Sequence, residues 1–224
     1  ALGDYLDQIG PSDGPSGDEF LDGFTEATGL DLEDDLLSLL TGEYAVAGNA
    51  SGFENDPPDF SIIAMLDVND AAKAQESLEV IADFLEDEGL ADIDDSDAVQ
   101  RWEPLGESGV EALGVTIGGG ALIAGYPDRA VEDSVNGFDR SLADTEDWRR
   151  TLELLPQDTT SVGFFSLARI FEEMRGTEAE ESFNQSTDGE LTIEDLAAIR
   201  SLAFATTSRD NGFGMHFVLF MEDR

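Results

Sequence analysis

The chain has 224 residues, 41% of them hydrophobic, and sets 51 acidic side chains against 11 basic ones for a formal net charge of −40. That apolar share suffices for one large packed domain or two small ones and excludes a wholly disordered chain. Cysteine is absent, which excludes a disulfide framework, a thiolate nucleophile and any Cys-based zinc or iron–sulfur site, and the longest apolar runs, such as Ser61–Leu66, are strand-length and cannot span a bilayer.

Residues 1–17, with Gly10-Pro11-Ser12-Asp13-Gly14-Pro15, read as a flexible lead-in. Phe20, Leu21, Phe24 and Ala27 recur at helical spacing ahead of Gly29, a natural C-cap. Asp31 is placed to N-cap a second helix carrying Leu32, Leu36, Leu37, Leu39 and Leu40 and ending at Gly42. Strands are expected over Glu43–Ala50 and Asp59–Val68, joined by a Pro57-Pro58 loop. Asn69 should cap a long amphipathic helix to about Glu88, stopped by Gly89, followed by an acidic loop over Asp92–Asp97. Strands Ala98–Leu105, Val110–Ile117 and Ala121–Tyr126 follow, the last two joined by Gly118-Gly119-Gly120. Asp128 opens a helix to about Gly137, and Thr145 opens another that stops before Pro156. Strand Thr160–Leu167 then runs into helix Ala168–Arg175, and the polar Gly176–Gly189 reads as a loop. Helix Ile193–Arg200 leads to a hairpin of Leu202–Ser208 and Phe213–Met221 turned at Asp210-Asn211-Gly212. The expected fold class is α+β, with mainly antiparallel sheet and helices packed on one face. Residues 18–224 form one domain in this reading, and a strand that runs three times into a helix raises the alternative of two similar halves, 18–137 and 138–224.

A folded chain of 24.1 kDa exposes roughly 10,000 Å², or about one excess negative charge per 250 Å². Such a surface repels itself at low ionic strength, and at about 1 M salt, where the Debye length is about 3 Å, the penalty largely disappears. Lys73 is the single lysine and the other ten basic residues are arginines. Dispersed acid with lysine nearly eliminated resembles the proteins of salt-in halophiles. With no basic stripe to neutralise phosphates, nucleic acid and direct binding to anionic membrane are excluded as partners, and inorganic cations are the expected ones.

Thr28-Gly29-Leu30-Asp31-Leu32, Leu40-Thr41-Gly42-Glu43-Tyr44, Leu66-Asp67-Val68-Asn69-Asp70-Ala71, Leu154-Leu155-Pro156 and Leu196-Ala197-Ala198-Ile199-Arg200 with Asp210-Asn211-Gly212-Phe213 resemble an uncharacterised prokaryotic family, domain of unknown function 3352. The resemblance covers the chain from about residue 18. It implies an extracytoplasmic protein, often tethered by an N-terminal membrane segment, and implies no activity and no functional residues. Ala1 in place of Met fits an expected removed segment, although no signal-peptide pattern opens the chain. The cytoplasm of a salt-in halophile is the alternative location.

The sharpest local motif reads like an EF-hand calcium loop. Asn184, Ser186 and Asp188 fall at its positions 1, 3 and 5, with Gly189 at 6. Glu190 would offer its carbonyl at 7, with Thr192 at 9 and Asp195 at 12. Asn at position 1 and Asp at position 12 depart from the pattern, and no second loop pairs with it. The competing reading is a polar loop followed by a helix that Thr192 caps with Asp195. Asp92, Asp94, Asp95 and Asp97 lack the glycine and spacing of a calcium loop and read as a solvated acidic segment. His216, the only histidine, has strand neighbours Met215 and Phe217 on the opposite side and reads as structural. No nucleophile elbow, Walker loop or dinucleotide fingerprint occurs. Carboxylate pairs for a hydrolase are inevitable among 51 acids and carry no weight for that reason. Asn49 and Asn184 head Asn-x-Ser acceptor patterns for glycosylation. The leading functional reading is a non-enzymatic extracytoplasmic binding or structural domain of a halophile. The alternatives are a calcium-binding module on residues 184–195 and a carboxylate hydrolase.

Overall fold

A computed structural model describes residues 16–55, 58–105, 111–137, 142–187, 190–209 and 212–222. By contact the chain divides into two compact units, one of the residues up to Asn49 with Ser61–Gly137, the other of Ala50–Phe60 with Phe138–Arg224. Expectations for residues 1–15, the Asp56-Pro57 corner, Val110, Asp188, Gly189 and the Asp210-Asn211 turn lie outside the described residues.

In the first unit, helix α1 (Gly17–Thr28) starts with a capping box: Ser16 Oγ accepts the Glu19 N–H, and the Glu19 carboxylate accepts the Ser16 N–H at 3.0 Å. Gly29, at φ +73°, closes it in the left-handed conformation that a C-cap needs. The helix expected after Asp31 does not form. Asp31 caps the Glu33 and Asp34 N–H groups, yet residues 32–36 make one wide π turn and 37–39 a 3₁₀ turn. Only Leu39 of this stretch is buried, so no apolar helix face exists to sustain propagation. Strand β1 (Leu40–Ser51) begins at once and absorbs Gly42, the expected helix stop.

Strand β2 (Asp59–Val68) and helix α2 (Ala71–Asp87) match expectation closely. The cap is Asp70, accepting the Lys73 N–H, and Asn69 instead donates its side-chain amide to the Ser38 carbonyl at 2.8 Å. Helix α2 buries Ala74, Ser77, Leu78 and Ala82. The acidic stretch begins as strand β3 (Ala91–Asp94), because Ala91 and Ile93 turn inward while Asp92 and Asp94 face water. Its partner β4 (Gln100–Pro104) is shorter at both ends than the sequence pattern. Strands β5 (Leu113–Gly118) and β6 (Ala121–Tyr126) form a hairpin turned at Gly119 and Gly120, both at positive φ. The six strands run antiparallel in the order β1-β2-β6-β5-β4-β3.

Helix α3 (Asp128–Asn136) lies on this sheet over two glycines paired across β5 and β6, Gly114 and Gly125. A Cβ on Gly125 would stand 2.8 Å from Val131 Cγ2, and one on Gly114 3.0 Å from Val131 Cβ. Val131, fully buried, packs there with Ile63, Val99, Ile123 and Ala130. Asp128, expected as the cap, is the first helical residue, and its carboxylate pairs with Arg101 of β4 at 3.1 Å.

In the second unit, helix α4 (Glu146–Leu154) is capped by Thr145. Strand β7 (Thr159–Phe165) leads into helix α5 (Leu167–Met174). The segment expected as a loop contains helix α6 (Glu178–Ser186). Glu178, Glu180 and Glu181 sit in its first turn, where the helix dipole favours anions, and Ala179 and Phe183, one turn apart, give it a half-buried side. Helix α7 is only Ile193–Leu196, since pairing claims the chain from Ile199 onward. Strands β8 (Ile199–Arg209) and β9 (Gly212–Met221) form the expected hairpin, and the sheet order is β7-β8-β9, antiparallel throughout. The fold is α+β with mainly antiparallel sheet, as the sequence pattern indicates.

Candidate functional site

The EF-hand-like segment is split among elements. Asn184 lies inside α6, and its buried Oδ1 has no hydrogen-bond partner among the described residues. Ser186, in the last turn of α6, donates its hydroxyl back to the Phe183 carbonyl. Glu190 is exposed. Thr192 and Asp195 make the capping box of α7, the Asp195 carboxylate accepting from the Thr192 N–H at 3.0 Å and from its hydroxyl at 2.7 Å. Among the described residues no three His, Asp or Glu side chains stand close enough to hold an ion. Of the acceptor asparagines, Asn49 is half-buried in β1 and Asn184 is helical.

The carboxylates are dispersed over the surface. At Asp94 the Ser96 hydroxyl and N–H bond the carboxylate, the N–H at 3.0 Å, and with Arg101 they hold its pKa below the usual range. Two recesses open in the first unit. One, of about 200 Å³, is lined by Glu79, Asp95, Asp97, Gln75 and Gln100; the other, of about 290 Å³, places Lys73 among Asp34, Asp35 and Glu76. The first is smaller than typical ligand pockets of roughly 300–1,000 Å³ and the second lies at their lower edge. Among the described residues no helix is long and apolar enough to cross a membrane.

His216 lies on the covered side of β9, directly across from Ala205 of β8. Among the described residues neither its Nε2 nor the hydroxyl of fully buried Thr207 has a hydrogen-bond partner. Gly214 keeps a small gap open beside them: a Cβ there would stand 2.7 Å from Thr207 Oγ1 and 3.5 Å from His216 Nε2. No hydrogen-bonded carboxylate or hydroxyl joins His216 among the described residues, so the nucleophile–base geometry of acyl transfer is not assembled there.

The two faces of the β7-β8-β9 sheet differ sharply. On the covered face Ser201, Ala203, Ala205 and Thr207 are all 0% exposed. There Trp148 of α4 meets Phe164 edge-on at 5.2 Å, and the Arg150 guanidinium lies over Phe220. The hydroxyls of Thr151 and Ser201 bond each other at 2.9 Å, and Thr151 donates onward to the Asp147 carbonyl at 2.6 Å. The register puts Phe165, Leu202 and Leu219 in one row of the opposite face, and Phe204 and Phe217 in the next beside Gly163. Phe204 lies across Gly163, where a Cβ would meet its ring at 2.1 Å, and Phe165 flanks it at 6.3 Å. This face is open. Phe165 is 49% exposed, Met215 53%, Phe217 68%, Leu219 51% and Met221 54%. Among the described residues no charged side chain lies between them on it. Sequence reasoning placed the strand but missed the face. The available signal is that β9 is apolar at both parities, with Val218 and Phe220 turned in and Met215, Phe217, Leu219 and Met221 turned out.

A family profile described as Protein of unknown function (DUF3352) matches residues 15–222. Nothing among curated proteins and nothing among solved structures matches the chain.

Proposed function

From the premise that the chain belongs to the DUF3352 family of proteins of unknown function, we propose that it is a non-enzymatic binding domain, adapted to concentrated salt and working outside the cytoplasm, which docks its partner on the open face of the β7-β8-β9 sheet. The observation that carries this is the row Met215, Phe217, Leu219 and Met221, large apolar side chains each more than half exposed in a chain of net charge −40. Leaving such a row in water gains nothing for folding, and patches of this kind on soluble proteins mark interaction sites. A docking partner must bring a largely apolar surface without net charge, because among the described residues the face offers no charged side chain to pair with one. Salt adaptation is supported by the carboxylate excess and the single lysine. The location rests on the family resemblance.

Binding of the neutral dye Nile red tests the docking face, with protein at high dilution in molar KCl. Wild type should enhance its fluorescence, and Phe217→Asp should remove most of the enhancement while far-UV circular dichroism stays unchanged. Equal, weak enhancement by both proteins sinks the reading.

A second reading, calcium binding at residues 184–195, is favoured by one observation, the buried and unpartnered Asn184 Oδ1. Titration calorimetry with calcium decides it. Absence of heat, or heat unchanged by Asp188→Ala, would remove it.

A further inference from the structure

We propose that the partner seated on the open face is a second copy of this chain, the two β7-β8-β9 sheets packing face to face about a two-fold axis; the inference rests on reading that face as a docking surface.

Three properties of the face support self-association. The first is its size. Strands β7, β8 and β9 have 7, 11 and 10 residues. At about 3.4 Å per residue and about 4.8 Å between strands, the face measures roughly 32 Å by 14 Å, or about 450 Å². Two such faces together remove roughly 900 Å² in projection, near the about 1,000 Å² at which specific interfaces begin. Relief of the side chains adds to that figure. A dimer of this size is concentration-dependent, not permanent.

The second is its charge. Each copy carries −40, so two copies tolerate contact only through a patch that holds no carboxylate. The open face is such a patch. A basic partner protein would be drawn instead to the acidic surface around it, where its charges find counterparts. The third is self-complementarity. A two-fold axis places one patch on its own image, so protruding and flat features must both belong to it. Phe217 protrudes, at 68% exposure, and the Phe204 ring spread over Gly163 is the flat floor. Two sheets packed this way sit about 10 Å apart, as in a sandwich.

The association should be gated by salt. Facing surfaces of like sign repel until the Debye length falls to about 3 Å near 1 M. Hydrophobic contact itself is not weakened by that salt, so the dimer should appear as KCl rises.

Sedimentation velocity on the whole chain, over a concentration series in dilute and in molar KCl, is the test. Wild type should sediment as one chain in dilute buffer and as two in molar KCl. Phe217→Asp should raise the dissociation constant at least tenfold. Tyr44→Asp, an apolar-to-acid change at a 69% exposed site on β1, should leave it unaltered. If Phe217→Asp fails to fold, Leu219→Ser and Met215→Gln replace it with the same expected direction. A wild type that stays monomeric at every salt and concentration overturns the proposal, as does a dimer indifferent to all three face variants. A monomer that still binds Nile red in a Phe217-dependent way keeps the docking face and removes only the second copy as its occupant. A monomer that binds no dye removes both.

Discussion

Replacing Gly125 with alanine puts one methyl group between β6 and helix α3. The new Cβ would stand 2.7 Å from the Ile62 carbonyl oxygen, 2.8 Å from Val131 Cγ2 and 3.2 Å from Ile63 Cγ1. The first is backbone within the β2–β6 ladder and cannot retreat without disturbing pairing. The second belongs to a fully buried side chain with nowhere to turn. Without a clash, alanine in a strand would gain about 0.5–1 kcal/mol over glycine. Overpacking a closed core costs about 1–3 kcal/mol, so a net loss of about 1–2 kcal/mol is expected. Thermal unfolding in molar KCl, followed by circular dichroism, should show a midpoint lower by roughly 3–8 °C. Adding Val131→Ala removes the Cγ2 obstacle, so the double variant should be more stable than the sum of the single losses, with a coupling of at least about 0.5 kcal/mol. If Gly125→Ala melts at or above the wild-type midpoint, helix α3 does not lie on these glycines.

Other consequences are as direct. Unfolding free energy should rise steadily from dilute buffer to molar KCl as carboxylate repulsion is screened; equal denaturant midpoints at both salts would defeat the account of the surface. Thr151→Val should destabilise more than Ser201→Ala, about 2 against 1 kcal/mol, because it strands the buried Ser201 hydroxyl whereas Thr151 keeps its bond to Asp147; chemical denaturation of both variants, and a reversed order, would expose an error in that network. Ser96→Ala should move the Asp94 carboxyl upward toward its ordinary value in an NMR titration. The sign for stability follows: with its folded value depressed, Asp94 contributes above its unfolded value near 3.9, and the contribution is lost as pH falls through the lower folded value. An Asp94 titration indifferent to Ser96 would refute the assigned cause.

Much of the fold was legible because local signals and packing agree. The Asp70-capped helix and the β8–β9 hairpin have strong periodicity, clear ends and buried faces to match. Disagreement arose where a local signal lacked tertiary support. Leu32, Leu36 and Leu39 repeat like a helix, but only Leu39 reaches a core, and strand pairing takes the chain one residue later. The converse holds for Glu178–Ser186, whose acidic composition reads as solvated loop. Its helix is capped by Thr177 and held by the dipole's preference for Glu178, Glu180 and Glu181 in the first turn. The aspartates at 92 and 94 hid a strand for a related reason, since an edge strand needs only its inward residues to be apolar. The open face was hidden differently. Alternation says which side chains share a side, and only the assembled sheet says that one of those sides stays exposed.

Lys73 stands in the first turn of α2 with its N–H held by Asp70, and it carries the one side-chain amine of the whole chain. A lysine-specific protease therefore has a single scissile bond, Lys73–Ala74, and the side chain after it is buried. Cleavage must wait for α2 to open, so its rate under native conditions is a clock for that opening. An amine-directed fluorophore likewise attaches to one known side-chain position without any engineering. Nearly complete loss of lysine, whatever drove it, leaves the molecule with a built-in address for watching its own local unfolding.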